Sequence, residues 1–198
     1  MAAEGETVSG DLKTRLEEIV RATPSLMHVM AVARDLDLPD WLIFSGAIYQ
    51  PVLNHLTGRD PDYGIKDYDL GYFDPSDTSY EAEDVVIRRV AAAFAQPFNE
   101  MVEVRNQARV HLWFEDKFRE PYAPLTSSEE ALSRFTTTAF SVGVRLEAGD
   151  ALTILAPFGL EDLFALRLRP NPTRQTTGFI RTAESAVRRW PELSVVAG

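Results

Sequence analysis

Hydrophobic and polar positions along this chain switch between two periods. Leu12, Leu16, Ile19 and Val20 fall on one helical face, which predicts a helix from Asp11 onward. Thr23-Pro24 breaks it, and Pro24 suits the first turn of a second helix that carries Leu26, Met27, Met30, Val32 and Ala33 to about Leu36. Trp41-Leu42-Ile43-Phe44 is a short apolar run that stops at Ser45-Gly46, and a weaker helical pattern follows to about Leu56. Thr57-Gly58-Arg59-Asp60-Pro61-Asp62-Tyr63-Gly64 is loop chemistry. From Lys66 to Phe73 the period becomes two, with Tyr68, Leu70 and Tyr72 on one side and Asp67, Asp69, Gly71 and Phe73 on the other, the pattern of a strand. A helix over 80–95 has Glu81, Glu83 and Asp84 near its start and Arg88 and Arg89 further on, the polarity that a helix dipole favours.

In the second half, 101–113 alternates like a strand through Val102, Val104, Val110 and Leu112. Ser127 and Glu130 have capping-box spacing at the start of a short helix. Segments 137–146 and 151–155 flank Glu147-Ala148-Gly149-Asp150 and predict a hairpin. Pro157-Phe158-Gly159 leads into a helix through Leu168, Arg169-Pro170-Asn171-Pro172 is a stiff break, and a last helix is predicted from about Gln175 to Trp190. This order implies an α+β fold (α/β mixed) in which a small mixed sheet packs against helices. With no internal repeat and no dividing linker, one domain is expected over 11–198, preceded by a small, polar, flexible N-terminus over 1–10.

Composition removes several chemistries. The 198 residues include no cysteine, which excludes thiol catalysis, zinc ribbons and a disulfide framework. Lys plus Arg is 20 and Asp plus Glu is 30, a net charge of −10. Such a chain lacks the global positive field of a non-specific nucleic-acid coating protein. The start of the chain lacks the pattern of a signal peptide, and no apolar run is long enough to span a membrane, so a bacterial-type cytoplasmic location is expected. There is no G-x-G-x-x-G, no P-loop, no G-x-S-x-G elbow around Ser45, and no metal-ligand spacing among His28, His55 and His111.

The chemistry that remains centres on Lys66-Asp67-Tyr68-Asp69. Carboxylates two residues apart on a strand share a face, where their oxygens can hold Mg²⁺ bridged to substrate phosphates. Two like charges held together on a sheet repel unless a cation or base is near. A haloacid dehalogenase phosphatase would place D-x-D just after an apolar strand, whereas here a loop precedes it. Ser45-Gly46, between an apolar run and a helix, can bring a phosphate against backbone N–H groups at the helix N-terminus, or can be an ordinary turn. The two motifs are separated by one helix and one loop, so their strands can pair.

Ser45-Gly46 followed by Asp67-x-Asp69 resembles the signature of the DNA polymerase beta nucleotidyltransferase superfamily. More closely, Trp41 with Ser45-Gly46-Ala47, Lys66-Asp67-Tyr68-Asp69 with Tyr72-Phe73-Asp74, Asn106-Gln107-Ala108-Arg109-Val110-His111-Leu112-Trp113, Ala156-Pro157-Phe158-Gly159-Leu160-Glu161-Asp162-Leu163-Phe164 and Arg169-Pro170-Asn171-Pro172 are similar to the blocks of a bacterial nucleotidyltransferase-like family of about this length. The resemblance covers the chain from about Trp41 to Trp190. It implies a nucleotidyltransferase-type sheet and transfer of an NMP from an NTP, with Mg or Mn, to an undefined small molecule, protein or RNA. It also implies a third carboxylate on a neighbouring strand. Glu103, between Val102 and Val104, is the strand-borne candidate, and Asp74 is its rival. Asp74 lies an odd number of residues from Asp69 and precedes Pro75, so Glu103 is preferred as third ligand or as base.

The expected site is therefore Asp67, Asp69 and Glu103 for metal and catalysis, with Ser45, Gly46, Lys66 and Arg109 for the nucleotide. Lys66 is read either as a neutralising partner of the aspartates or as a phosphate contact. Arg109 and His111 share strand parity and could face one pocket, where Arg109 could grip a triphosphate. His111 can equally be a hydrogen-bonded histidine at the core edge, and Asn106 and Gln107 can cap a bend in the strand. The competing reading is a non-catalytic nucleotide-binding or partner-interaction protein on the same fold.

Overall fold

The computed structural model describes the backbone of residues 2–174 and 178–196, and their side chains from Gly10 onward. Two helices, α1 (Ala2–Arg21) and α2 (Pro24–Asp35), lead to the short strand β1 (Leu42–Phe44) and helix α3 (Gly46–Leu56). Strand β2 (Tyr68–Tyr72), helices α4 (Tyr80–Ala93) and α5 (Phe98–Met101) and strand β3 (Val102–Asn106) follow. Next come a 3-10 helix (Gln107–Leu112), α6 (Phe114–Phe118) and α7 (Ser128–Leu132). The predicted hairpin is β4 (Gly143–Leu146) and β5 (Leu152–Leu155), and α8 (Glu161–Phe164), β6 (Arg167–Leu168), α9 (Gly178–Arg189) and β7 (Ser194–Val195) complete the chain.

The mixed α+β architecture is as expected. Five strands form one sheet in the order β3-β2-β1-β4-β5. β1 pairs antiparallel with β2, with Ile43 opposite Leu70 and Phe44 opposite Asp69, so the strands of the two motifs do lie side by side. β2 and β3 are parallel, with Asp69 opposite Glu103 and Leu70 opposite Val104. One face of the sheet carries Ile43, Tyr68, Leu70, Tyr72, Val104 and Val144 into the main core, against Leu16, Leu26, Met30, Ile48, Leu53 and Trp190 of the helices. The other face carries a smaller cluster of Leu42, Phe44 and Leu132, and leaves the carboxylates beyond it. Burial of the first face fixes the second, because a slip of one residue in β2 would drive Asp69 into the core.

Several boundaries differ from expectation. The first hairpin arm, expected from 137, begins with a 3-10 helix over Thr138–Phe140, and its strand starts only at Gly143. The first helix begins upstream of Asp11. The strand predicted over 101–113 ends at Asn106, where the Asn106 side chain accepts a hydrogen bond from the N–H of Ala108 at 3.0 Å and starts a 3-10 helix instead. Asn106 also exchanges hydrogen bonds with the Asp74 backbone at 2.8 and 3.1 Å, so it does cap the bend, and the strand parity assumed for Arg109 and His111 does not exist. The helix expected through Leu168 stops at Phe164, because Leu166 turns to φ 53° and the chain enters β6. The expected start of the last helix at Gln175 lies outside the described residues.

Asn54 ties the carboxylate-bearing loop to the helices. It is fully buried; its amide donates to the carbonyls of Pro61 at 3.0 Å and Tyr63 at 2.9 Å, while its oxygen accepts the indole N–H of Trp190 at 2.9 Å. Asn54→Ala strands the buried indole N–H of Trp190 and removes the partner of two part-buried carbonyls. We expect a loss of about 3 kcal/mol, or a fall of roughly 6–12 °C in melting temperature, measured by calorimetry.

Candidate active site

The strand β2 delivers Asp69 to the open face of the sheet, part-buried, with exposed Asp67 just before the strand. Glu103 is exposed on the adjacent strand at the same level as Asp69. Burial raises the Asp69 carboxyl to a pKa of about 6; the Asp67 charge adds to this, the Ser45 side chain opposes it by hydrogen bonding, and Glu103 and Arg105 act more weakly in opposite directions. Asp69 therefore senses both expected carboxylates. Among the described residues no three of His, Cys, Asp and Glu stand close enough to form a ready-made metal cage. Asp74 is occupied elsewhere: its carboxylate accepts from the N–H of Ser76 at 2.9 Å and from the Ser76 hydroxyl, a turn role.

Ser45 and Gly46 form the turn between β1 and α3. Ser45 has φ 63° and ψ −139°, a region that non-glycine residues avoid at a cost of about 1–3 kcal/mol. Such strain persists where neighbouring structure dictates it, and here it brings the Ser45 side chain to Asp69. A side chain on Gly46 would collide with the Gln50 amide. The first amides of α3, from Gly46 and Ala47, face out of the helix without a partner inside it, which is the usual anion-receiving arrangement.

Two adjoining hollows make one cleft. A cavity of about 550 Å³ runs from Ser45 and Tyr49 past Phe114 and Phe140 to Arg134, Arg174 and Arg181. A smaller one of about 170 Å³ joins Asp69, Glu103 and Arg105 to Phe114, Tyr122, Arg134 and Arg174. Arg174 lies over the adjoining aromatic rings of Phe114 and Tyr122, 5.1 and 5.7 Å from their centres, and pairs with Glu120 at 2.7 Å. Asn171 pins the wall of the cleft by donating to the carbonyls of Ser133 and Phe135, each at 2.7 Å.

The structure thus brings together Ser45, Gly46, Asp67, Asp69 and Glu103. Lys66 is exposed and makes no ion pair among the described residues; the cation that Asp69 feels is Arg105. Arg109 is not brought to this cleft. The 3-10 helix turns it to the far side of β3, where it pairs with buried Glu83 and donates to the carbonyl of Thr78 at 3.2 Å. The cations that do line the cleft are Arg105, Arg134, Arg174 and Arg181, none of which carries a local motif. Only the Arg169-Pro170-Asn171-Pro172 block hinted at this wall, through the carbonyls that Asn171 holds.

A family model described as nucleotidyltransferase matches residues 31–195. Among solved structures, a protein whose NMR structure reveals a CCA-adding enzyme head domain superposes with a TM-score of 0.75 at 25% identity, covering 93% of this chain and 96% of that one. A CCA-adding enzyme in complex with CTP superposes with a TM-score of 0.51 at 12% identity, covering 91% of this chain and 43% of that one, so this chain spans under half its length. Comparison with curated proteins finds no match.

The raised pKa of Asp69 has a definite sign. The folded state holds that proton more tightly than the unfolded chain, so the stabilisation is complete below about pH 4 and is lost as pH rises through about 6. Asp69→Asn removes the loss. Relative to wild type, the metal-free variant should gain about 1–2 kcal/mol between pH 5 and 8, allowing for partial exposure, or roughly 3–6 °C. Scanning fluorimetry across that range checks it, and a difference that does not change with pH contradicts it.

Proposed function

The chain belongs to the nucleotidyltransferase family, and on that premise we propose that it transfers a nucleotidyl group from an NTP, with Mg²⁺ or Mn²⁺, to an acceptor hydroxyl. The observation that carries this reading is Asp69 itself, which stands in register with Glu103 on the open sheet face, feels the Asp67 charge and lies beside the Ser45-Gly46 turn. The donor set fits a hard divalent cation. Burial, and then the Asp67 charge, raise the Asp69 carboxyl to about 6, and Mg²⁺ commonly takes only one or two carboxylates along with substrate phosphates. Asp67 and Asp69 would hold the metal, with Glu103 as third ligand or as base. When bound, the metal would neutralise charge on the phosphates and polarise them toward attack.

The chain's own residues supply the rest. The amides of Gly46 and Ala47 and the Ser45 hydroxyl hold the terminal phosphates at the start of α3. Arg134, Arg174 and Arg181 carry the compensating charge along the cleft. Phe114, Phe135 and Tyr122 wall it and exclude water, which strengthens each electrostatic contact inside. Glu103, exposed beside Asp69, would take the proton of the acceptor hydroxyl as its oxygen bonds to the α-phosphorus and pyrophosphate departs.

A second reading is favoured by the lack of a ready-made three-carboxylate group among the described residues. On it, the cleft binds a nucleotide without turning it over. Incubation with each α-labelled NTP, Mg²⁺ or Mn²⁺ and cell extract separates the two. We expect a labelled product with wild type, reduced about a hundredfold or more by Asp67→Asn/Asp69→Asn. Metal-dependent NTP binding without any labelled product would favour the second reading, and no metal-dependent NTP binding at all would overturn both.

A further inference from the structure

Behind the edge strand β3 lies a second concavity that the cleft does not use. It is bounded by Tyr80, Glu83 and Ile87 of α4, by Arg105 of β3, and by Arg109, Trp113 and Lys117, with a volume of about 350 Å³. Its charge runs against the chain's. The protein carries a net charge of −10, yet this hollow gathers three cations and one carboxylate. That carboxylate, Glu83, is buried and already committed to Arg109 and to the N–H of Asn106 at 2.9 Å. Lys117 is exposed and has no carboxylate partner among the described residues, and its ammonium lies 5.4 Å from the centre of the Trp113 ring. Arg105 spends one N–H on the carbonyl of Val104 at 2.8 Å and points the rest of its guanidinium outward. Tyr80 is 61% exposed beneath the guanidinium of Arg109, 5.7 Å away, a large ring left facing water.

Two cations that form no ion pair among the described residues, beside two aromatic rings, are the chemistry that receives a phosphate attached to a planar ring. The position gives the hollow a role. Arg105 and Trp113 line both this hollow and the carboxylate cleft, so the two are continuous around β3. Arg105 and Glu103 are two residues apart on one face of that strand, about 6.7 Å along it. A single nucleotide spans such a gap between its phosphate and its far hydroxyl. We propose that this hollow is the acceptor subsite, and that the acceptor is a nucleotide whose phosphate is held by Arg105 and Lys117, whose ring lies against Trp113 or Tyr80, and whose hydroxyl is presented to Glu103. The role as acceptor rests on the transfer reading above. In that step the acceptor oxygen bonds to the α-phosphorus of the NTP, the bond to the β-phosphate oxygen breaks, pyrophosphate leaves and the proton passes to Glu103.

The test is calorimetric titration of the metal-free protein with adenosine 5′-monophosphate. Adenosine, inorganic phosphate and a short oligoribonucleotide ending in adenosine are titrated in parallel. Binding of the monophosphate should exceed that of adenosine or phosphate alone. Lys117→Glu should weaken it about tenfold or more, and Tyr80→Ala should weaken it less. Both variants sit on exposed side chains, and a melting curve for each confirms folding. Asp67→Asn/Asp69→Asn should leave this binding in place, which separates the hollow from the carboxylate cleft. Tighter binding of the oligonucleotide than of the mononucleotide, or the reverse, tells whether the phosphate belongs to a strand end or a free nucleotide, and either supports the subsite. Monophosphate binding that Lys117→Glu does not change overturns it. Lys117-sensitive binding in a protein that takes no NTP with metal would sink the transfer reading and the acceptor role, and would leave the hollow as a nucleotide site.

Discussion

The placement of strand β2 is the constraint on which the rest of the molecule depends. Tyr68, Leu70 and Tyr72 are each no more than 3% exposed, and they must all point into the same core. With a strand period of two, that requirement throws Asp69 onto the opposite face, whatever else lies there. The neighbours obey the same rule. Ile43 is opposite Leu70 and Val104 beside it, so Phe44 and Glu103 are carried to the Asp69 side. A site of like charges is thus paid for by an apolar ladder on the reverse of the same three strands. Gly71 completes the arrangement, since a side chain there would occupy the space of the Phe44 ring.

This constraint explains why strand chemistry was legible in the residues and the cleft wall was not. The alternation from Lys66 to Phe73 and the Val102-Glu103-Val104 triplet each declare which positions face the core, and a strand has only two faces. Asp69 and Glu103 could therefore be assigned to one side from the chain alone. Arg109 failed because the alternation of Val110 and Leu112 looks the same whether or not the strand continues, and a local hydrogen bond from the Ala108 N–H to the Asn106 side chain ended it. Val110 is then buried and Leu112 is 53% exposed, the mark of a helical turn rather than a strand. Lys66 makes no ion pair with the aspartates for a related reason. Sequence adjacency to Asp67 does not bring a long exposed side chain to a carboxylate, whereas Arg105, which shares the face of β3 with Glu103, comes near Asp69 by register.

The arginines of the cleft were invisible for a different reason. Arg134, Arg174 and Arg181 come from separate segments that meet only in the fold, so no spacing links them. What holds the first two is a set of part-buried contacts to the backbone. Asn171 grips the carbonyls of Ser133 and Phe135, the Thr173 N–H returns to the Asn171 oxygen at 2.8 Å, and Arg174 donates to the carbonyl of Arg134. A proline-rich block that reads as a break in the chain is, in space, the clamp that positions two of the cleft's cations. Conformational stiffness at Pro170 and Pro172 suits that task, since a clamp ordered before the substrate arrives costs less to close.

Net charge then needs to be read locally. The acidity of the chain argues against a broad electrostatic attraction for nucleic acid, and it still permits a strong field in a confined place. Cations are concentrated along one path: Arg181, Arg174 and Arg134 on the outer wall, Arg105 at the turn around β3, and Lys117 beyond it. The acidic groups beside that path are Asp67, Asp69 and Glu103 at its middle, with Glu83, Glu120 and Glu130 engaged by Arg109, Arg174 and Arg134. A polyanion entering from either side meets positive charge first and the carboxylates last. Phosphates could settle beside those carboxylates only if a cation stood between them, since like charges at hydrogen-bonding distance would otherwise repel. The distribution of charge, and not its sum, is what would suit an acidic protein of this kind to the proposed task of holding two phosphate-bearing molecules on either side of one sheet edge.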